Sequence, residues 1–366
     1  MIRVLVVDDS VVVRRMISDV LNADTRITVV ATAPNGAIAL QKLTQVNPDL
    51  VLLDVEMPDM DGIETVARLR ETFPRLPVIM CSSLTERGAD VTLRALAAGA
   101  TDYVTKPTAA VTQADRLDSF KSQLIEKVVA LGHASLLPAP PLLSRLPASP
   151  TLAPVVRLGK EPISALCIGC STGGPNALGE LFRGLPSDLP VPIFIVQHMP
   201  PLFTRMLAER LAAASGVSVV EAEHGATVEP GRAYIAPGDN HLLVGRDGVR
   251  VVTLLNREPP ENSCRPAVDV LFRSVARLYG AGVLACVMTG MGHDGARGSR
   301  NIVDAGGNVI VQSAETCVVP SMPGAVVAAG LADKVLPLSQ LASELVARVR
   351  RASERARFTE LPRREA

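Results

Sequence analysis

The sequence has no tryptophan, three tyrosines and seven phenylalanines in 366 residues. A chain this poor in aromatic rings lacks the stacking platforms on which single-stranded nucleic acid is held. An excess charge of one sign is also missing, since 37 lysines and arginines meet 37 aspartates and glutamates. A zero balance gives no electrostatic footprint for bulk nucleic-acid binding and no polybasic surface for anionic membranes. Six cysteines scattered over this length make no disulfide framework. No apolar run approaches the roughly 18 residues that a membrane-spanning helix needs. The opening apolar stretch, Ile2 to Val7, is too short for a secretory signal and runs straight into Asp8 and Asp9. The chain therefore reads as cytoplasmic, reduced, globular and without membrane insertion, and its length favours two domains.

What is present is a repeated strand–helix rhythm. Short β-branched runs at 2–7, 27–31, 50–53, 77–81 and 102–104 alternate with helical patterns at 11–22, 35–45, 62–72, 87–98 and 112–131. Alternation at this spacing predicts βαβ crossovers and a parallel sheet. Six prolines then fall within 138–154, which reads as a partly extended linker. The rhythm resumes with strand candidates at 163–169, 191–197, 233–236, 283–289 and 308–312, and the chain ends in an arginine-rich helical tail. The expected architecture is α/β, with two doubly wound parallel-sheet domains joined by a proline-rich linker. The expected boundaries are 1–128, a linker at 129–160, a second domain at 161–347 and a basic tail at 348–366.

In the first half, Asp8 and Asp9 follow the first strand and Asp54 ends the third. Strand ends of a parallel sheet share one edge, where ligands bind. Three carboxylates converging there repel one another unless a hard cation such as Mg²⁺ sits among them. Ser82 ends the fourth strand and Lys106, before Pro107, the fifth. A hydroxyl, an ammonium and Mg²⁺ around one aspartate suit an acyl-phosphate, because each neutralises or hydrogen-bonds a phosphoryl oxygen. The blander alternative treats Asp8 and Asp9 as loop solubility and Asp54 as a helix cap.

In the second half, a strand ending Gly169-Cys170 runs into Ser171-Thr172-Gly173-Gly174-Pro175 and a helix. Gly169-x-Ser171-x-Gly173 matches the nucleophile-elbow pattern, and the free N–H groups of a helix start suit an oxyanion. Ser171 as a simple N-cap is the competing reading. His198 ends the next strand and Asp294 lies just past the strand of 283–289, so a serine, a histidine and an aspartate stand at three strand ends. Their order along the chain is not the Ser…Asp…His order of α/β-hydrolases.

The series Asp8-Asp9, Leu53-Asp54-Val55-Glu56-Met57-Pro58, Asp61-Gly62, Ser82 and Lys106-Pro107 resembles a flavodoxin-like response-regulator receiver domain over about the first 125 residues. The resemblance makes Asp54 the phospho-acceptor and Asp8, Asp9 and Asp54 the Mg²⁺ site. It makes Ser82 and Lys106 the phosphate-sensing pair and Tyr103 the switch aromatic, for which core packing is the alternative.

Residues 161–345 resemble the Rossmann-like catalytic domain of the chemotaxis protein-glutamate methylesterases. The matching stretches are Gly169 to Pro175, Val196 to Pro200, Tyr234 to Gly238, Cys264 to Phe272 and Thr289 to Gly295. Carried over by position, the triad is Ser171, His198 and Asp294, with backbone N–H groups of Thr172 and Met291 as oxyanion donors. Cys170 stands where the family has a smaller residue, and His293 beside Asp294 is a rival base to His198. The resemblance implies demethylation of glutamate methyl esters, and deamidation of glutamines, on the cytoplasmic helices of methylated chemoreceptors. It implies a histidine kinase as phosphodonor, no cofactor at the hydrolase site, a monomer, and a receiver that covers the catalytic strand ends until Asp54 is phosphorylated.

Several other patterns in the sequence compete with this reading. Gly290 to Gly295 imitates a dinucleotide fingerprint with Glu315 beyond it, but the Asp294 carboxylate would repel a pyrophosphate. Cys167 and Cys170 imitate a redox or zinc pair, yet residues three apart on a strand face opposite sides and no second pair exists. His133, His224 and His241 have no ligand partners at metal spacing. A non-enzymatic signalling adaptor is the rival class. A transcription-factor output is disfavoured by the lack of a basic face and a helix-turn-helix pattern.

Overall fold

The computed structural model describes residues 1–106, 113–136 and 162–359. The chain divides into two compact units, Met1–Leu146 and Pro147–Ala366.

The first unit alternates β1 (Ile2–Val7), α1 (Val11–Asn22), β2 (Ile27–Ala33), α2 (Gly36–Val46), β3 (Leu50–Asp54), α3 (Gly62–Thr72), β4 (Val78–Ser82), α4 (Glu86–Ala97), β5 (Asp102–Thr105) and α5 (Gln113–Leu136). Its five strands are all parallel in the order β2-β1-β3-β4-β5. Every residue of β3 and β4 is buried, as strands covered on both faces require. Four helices start on a side-chain cap: Ser10, Asn35, Asp61 and Thr85 accept from the N–H of Val13, Ile38, Glu64 and Gly88. The sheet order reverses between β1 and β3, which opens the crevice beyond Val7 and Asp54.

The second unit holds β6 (Ala165–Cys170), α6 (Gly174–Arg183), β7 (Ile193–Gln197), α7 (Phe203–Ser215), β8 (Ser218–Glu221), β9 (Arg232–Ile235), β10 (His241–Asp247), β11 (Arg250–Asn256), α8 (Val268–Tyr279), β12 (Val283–Val287), α9 (Ala296–Asp304), β13 (Asn308–Gln312), α10 (Ser321–Ala328), β14 (Lys334–Leu336) and α11 (Leu338–Thr359). Seven strands form a parallel sheet in the order β14-β13-β12-β6-β7-β9-β8. The chain winds outward from β6 to β8, then returns to the other side of β6 through β12. The crevice at this reversal lies between β6 and β12.

Both sheets are parallel, as the strand–helix rhythm requires. The structure adds an antiparallel hairpin, β10–β11, absent from the sequence expectation. Its signal was present: Asp247 pairs with Arg250 across a two-residue turn, where Gly248 takes φ +60°. The edge strands β8 and β14 have four and three residues, too short for a periodic signal. Helix α5 continues to Leu136, past the boundary drawn at 128, because Leu124, Val128 and Leu131 keep one face buried. The prolines of 138–154 lie outside the described residues. The boundary drawn at 347 likewise falls inside α11.

Candidate active site and carboxylate cluster

Three neighbouring strands deliver the residues of the second unit's site. Ser171 follows β6, His198 follows β7, and Thr289 to Asp294 follow β12. The His198 N–H bonds to the Cys170 carbonyl at 3.2 Å and the Ser171 N–H to the Thr289 carbonyl at 3.0 Å, which locks the three strand ends side by side. Ser171 is not the cap of α6. Gly173, at φ +78°, holds that position without a side-chain hydrogen bond, and the Ser171 hydroxyl makes none either among the described residues.

His198 Nε2 lies 2.8 Å from Asp294 Oδ2, and its Nδ1 lies 3.5 Å from the Cys264 sulfur. Burial works against an imidazolium here, but Asp294 on one nitrogen and Cys264 on the other outweigh it and raise the His198 pKa. Burial also presses Asp294 toward the neutral acid. The His198 imidazole and the N–H groups of Asp269 and Val268 overcome this and hold its carboxyl below the usual range. These donors are the N-terminus of α8, whose own cap residue Ala267 offers no side-chain bond. Asp269 does the same for α9, accepting from the N–H groups of Gly295 at 3.0 Å and Gly298 at 2.6 Å. Two buried carboxylates thus occupy two helix N-termini, and no helix start is left there for a pyrophosphate.

Two peptide units beside Ser171 are pinned by their carbonyls. The Ser171 carbonyl accepts from Gln197 Nε2 at 3.0 Å and from the Gly174 N–H at 2.8 Å. The Gly290 carbonyl accepts from the Met322 N–H at 3.0 Å and the Ser321 hydroxyl at 3.1 Å. In a trans peptide the N–H points opposite to the C=O. The Thr172 and Met291 N–H groups are therefore turned away from these anchors, and neither bonds another group among the described residues. An amide held in this way is a ready donor to an oxyanion. Gly290 is required at its position, because a Cβ there would lie 2.2 Å from Met322 Sδ and 2.9 Å from Ser171 Cβ.

In the first unit, ligand atoms of Asp8, Asp9 and Asp54 lie within 4.8 Å of one another. Lys106 Nζ sits 2.7 Å from Asp8 Oδ2 and 2.8 Å from Asp54 Oδ1. Burial pushes the Asp54 carboxyl up to about 6; the Asp8 charge adds to the rise while Lys106 opposes it. Asp54 is not a helix cap, since Asp61 caps α3. The Ser82 hydroxyl turns to the Gly88 carbonyl of α4 at 3.0 Å rather than to the carboxylates. Tyr103 is buried with Lys127 Nζ 5.0 Å from its ring centre, and its phenol pKa is raised by burial and by Asp102.

Sequence reasoning missed Asn262, Gln197 and the role of Cys264. Asn262 bonds both Asp269 and Asp294, Gln197 holds the Ser171 carbonyl, and the Cys264 sulfur faces His198. Gln197, Cys264 and Asp269 stand inside motif stretches, but nothing in a one-dimensional pattern says which atoms they meet. His293 makes no side-chain bond to Ser171 or Asp294. His241 is buried with both ring nitrogens engaged, by the Ala267 N–H and the Pro259 carbonyl, and His224 bonds the Leu255 backbone. The side chain of His133 lies outside the described residues.

A CheB methylesterase family model matches residues 166–345, and a response regulator receiver domain model matches residues 4–117. A protein-glutamate methylesterase/protein-glutamine glutaminase of Trichodesmium erythraeum is 47% identical over 347 residues, covering 95% of this chain and 99% of the relative. One of Nocardioides sp. is 50% identical over 358 residues, covering 96% of each. Among solved structures, the catalytic domain of the Thermotoga maritima CheB methylesterase is similar at 43% identity and a TM-score of 0.50, covering 50% of this chain and 98% of that one.

Proposed function

The chain belongs to the protein-glutamate methylesterase/protein-glutamine glutaminase family, with a receiver domain ahead of the methylesterase domain, and from that membership we propose how its residues work. It is a phosphorylation-controlled hydrolase of sensory adaptation that removes methyl groups from glutamate methyl esters of chemoreceptors. Ser171 is the nucleophile, His198 the general base and Asp294 the residue that orients His198. The observation that carries this assignment is the 2.8 Å contact of His198 Nε2 with Asp294 at a strand end flanking Ser171.

With Nε2 committed to Asp294, Nδ1 is the nitrogen that takes the Ser171 proton, exchanging Cys264 for the serine hydroxyl as substrate enters. Ser171 Oγ attacks the ester carbonyl, and the Thr172 and Met291 N–H groups receive the negative charge on its oxygen. The His198 imidazolium returns the proton to the leaving methoxide, which departs as methanol. Water, deprotonated by His198, then cleaves the acyl-Ser171 ester and frees the glutamate. A glutamine side chain follows the same path with ammonia as leaving group.

The receiver takes its phosphoryl group on Asp54 from a histidine kinase. Asp8, Asp9 and Asp54 suit a Mg²⁺ ion, because three carboxylate donors lie within reach of one another and Asp54 bears an unfavourable buried charge. When bound, the ion supplies charge neutralisation for phosphoryl transfer. Lys106 pairs with the same carboxylates, and Ser82 and Tyr103 form the responding face. No helix among the described residues is long and apolar enough to cross a membrane.

The test is methanol release from methylated receptor membranes, with and without a phosphodonor. Wild type is expected to release methanol faster when phosphorylated, and Ser171→Ala is expected to release none while still binding receptor. Normal release by Ser171→Ala would assign the chemistry elsewhere.

A further inference from the structure

The loop between β11 and α8 touches both partners of the His198–Asp294 pair. Asn262 Nδ2 donates to Asp294 Oδ1 at 2.8 Å and to Asp269 Oδ2 at 2.9 Å. A primary amide carries two N–H bonds, and here each goes to a different buried carboxylate. Asp269 is fully buried and Asp294 is 2% exposed. Two such neighbours oppose each other's ionisation unless neutral donors lie between them. The Gly295 N–H is one, at 3.0 Å from each. Among the described residues, Asn262 is the only side chain that donates to both.

Asn262 keeps this place in a strained backbone. It lies at φ +53° and Ser263 at φ +61°, two successive non-glycine residues in the left-handed region. Such a conformation is unfavourable for a residue with a Cβ and persists only where the surroundings over-determine it. Those surroundings are present. Glu261 and Cys264 exchange both backbone hydrogen bonds, at 3.1 and 3.0 Å, and the Arg273 guanidinium grips the Glu261 carboxylate at 3.1 and 2.8 Å. The turn closed in this way aims Asn262 at Asp294 and sets Cys264 on His198 Nδ1.

We propose that Asn262 is a positioning residue for ester hydrolysis, whose amide ties Asp294 Oδ1 to Asp269 so that Oδ2 stays aligned on His198 Nε2. The proposal rests on the Ser171, His198 and Asp294 assignment above. It requires both hydrogens of the amide, so no acid, alcohol or apolar side chain substitutes for it.

Two variants of the full chain test it. Asn262→Gly keeps the left-handed backbone accessible and deletes the amide, and Asn262→Asp keeps the size and replaces the donor by an acid. Methanol release from methylated receptor membranes is measured as kcat and KM across pH. For Asn262→Gly, kcat is expected to fall about 10- to 100-fold with little change in KM. The acid limb of the profile, where His198 must lose its proton, is expected to move to lower pH, because an Asp294 no longer tied to Asp269 favours the imidazolium less. The titratable and charged groups around these two carboxylates are His198 after β7, Arg273 on α8, Glu261 and Cys264 in the loop, and Arg297 on α9. Asn262→Asp is expected to lose more at neutral pH and to give the answer if the glycine variant does not fold. An organophosphonate that labels Ser171 counts active sites. An unshifted acid limb with wild-type kcat per labelled site overturns the proposal, even if the unfolding midpoint drops. Wild type that releases no methanol, or Ser171→Ala that releases it normally, refutes the esterase site itself and the proposal with it.

Discussion

Asp294 shows how one side chain can have its charge, its aim and its burial set by separate partners. Backbone N–H groups of Asp269 and Gly295 and the amide of Asn262 hold Oδ1, while Oδ2 accepts from the Val268 N–H and meets His198. Asp294→Asn keeps the size but puts an amide among donors and offers His198 the wrong partner. Methanol release is expected to fall about 10³- to 10⁴-fold with receptor binding retained. Cys264 is the complementary residue on the other imidazole nitrogen. His198 is raised above its ordinary pKa by both partners, so the stabilisation from charging it is present below 6.5 and is lost as pH rises through the folded value. A general base must be neutral. Cys264→Ala removes one of the two groups that favour the imidazolium, and the acid limb of kcat/KM is expected to move to lower pH. A limb that stays in place or moves up would show that the sulfur does not act on the imidazole.

At the scale of elements, the two units start their helices differently. The receiver helices α1 to α4 are capped by side chains, so their end groups are spent on stability. The helices around Ser171 are not self-capped; α6 begins at a bare Gly173, and α8 and α9 receive the carboxylates of Asp294 and Asp269. This distinction was half legible. Ser10, Asn35, Asp61 and Thr85 are ordinary cap residues before apolar periodicity, whereas Ser171 looked like a cap and is not one. Only the positive φ of Gly173 moves the helix start two residues on. Gly173→Ala is expected to destabilise the second unit by about 1–3 kcal/mol, through left-handed strain and a Cβ 2.6 Å from Val318. Urea unfolding followed in the full chain checks the loss, and an unshifted midpoint would mean that the turn relaxes freely.

Across the whole molecule, each unit places its proposed site where its sheet order reverses, Asp8 and Asp54 between β1 and β3, and Ser171 with Thr289 between β6 and β12. In the receiver the placement has a thermodynamic consequence. The Asp54 pKa stands at about 6 in the folded chain against 3.8 for the free side chain, so folding favours its neutral form. Its contribution therefore falls as pH rises from about 4 to 6 and is level above that. Roughly two pKa units correspond to at most about 3 kcal/mol. Asn at position 54 avoids this cost. Asp54→Asn is expected to raise the midpoint of the receiver's unfolding transition near neutral pH, with the gain shrinking below pH 4 and narrowed by added Mg²⁺. The same variant is expected to abolish stimulation of methanol release by a phosphodonor. Equal midpoints at neutral pH would show that Lys106 already compensates the charge in full.

The sequence by itself determined the two parallel α/β units and set Asp8, Asp54, Ser171, His198 and Asp294 at or just past the ends of their strands. Alternating apolar runs and helical periods are local signals, and strand ends in a parallel sheet share one edge whatever the details. Tertiary structure alone decided which atoms meet. It turned His198 Nδ1 to Cys264, bridged Asp269 and Asp294 through Asn262, and pinned the Ser171 carbonyl with Gln197. Those contacts join residues 7 to 66 positions apart, most of them through loops without periodicity. Side-chain direction there is set by packing and by the demand that every buried polar group find a partner, and neither is written in the order of residues along the chain.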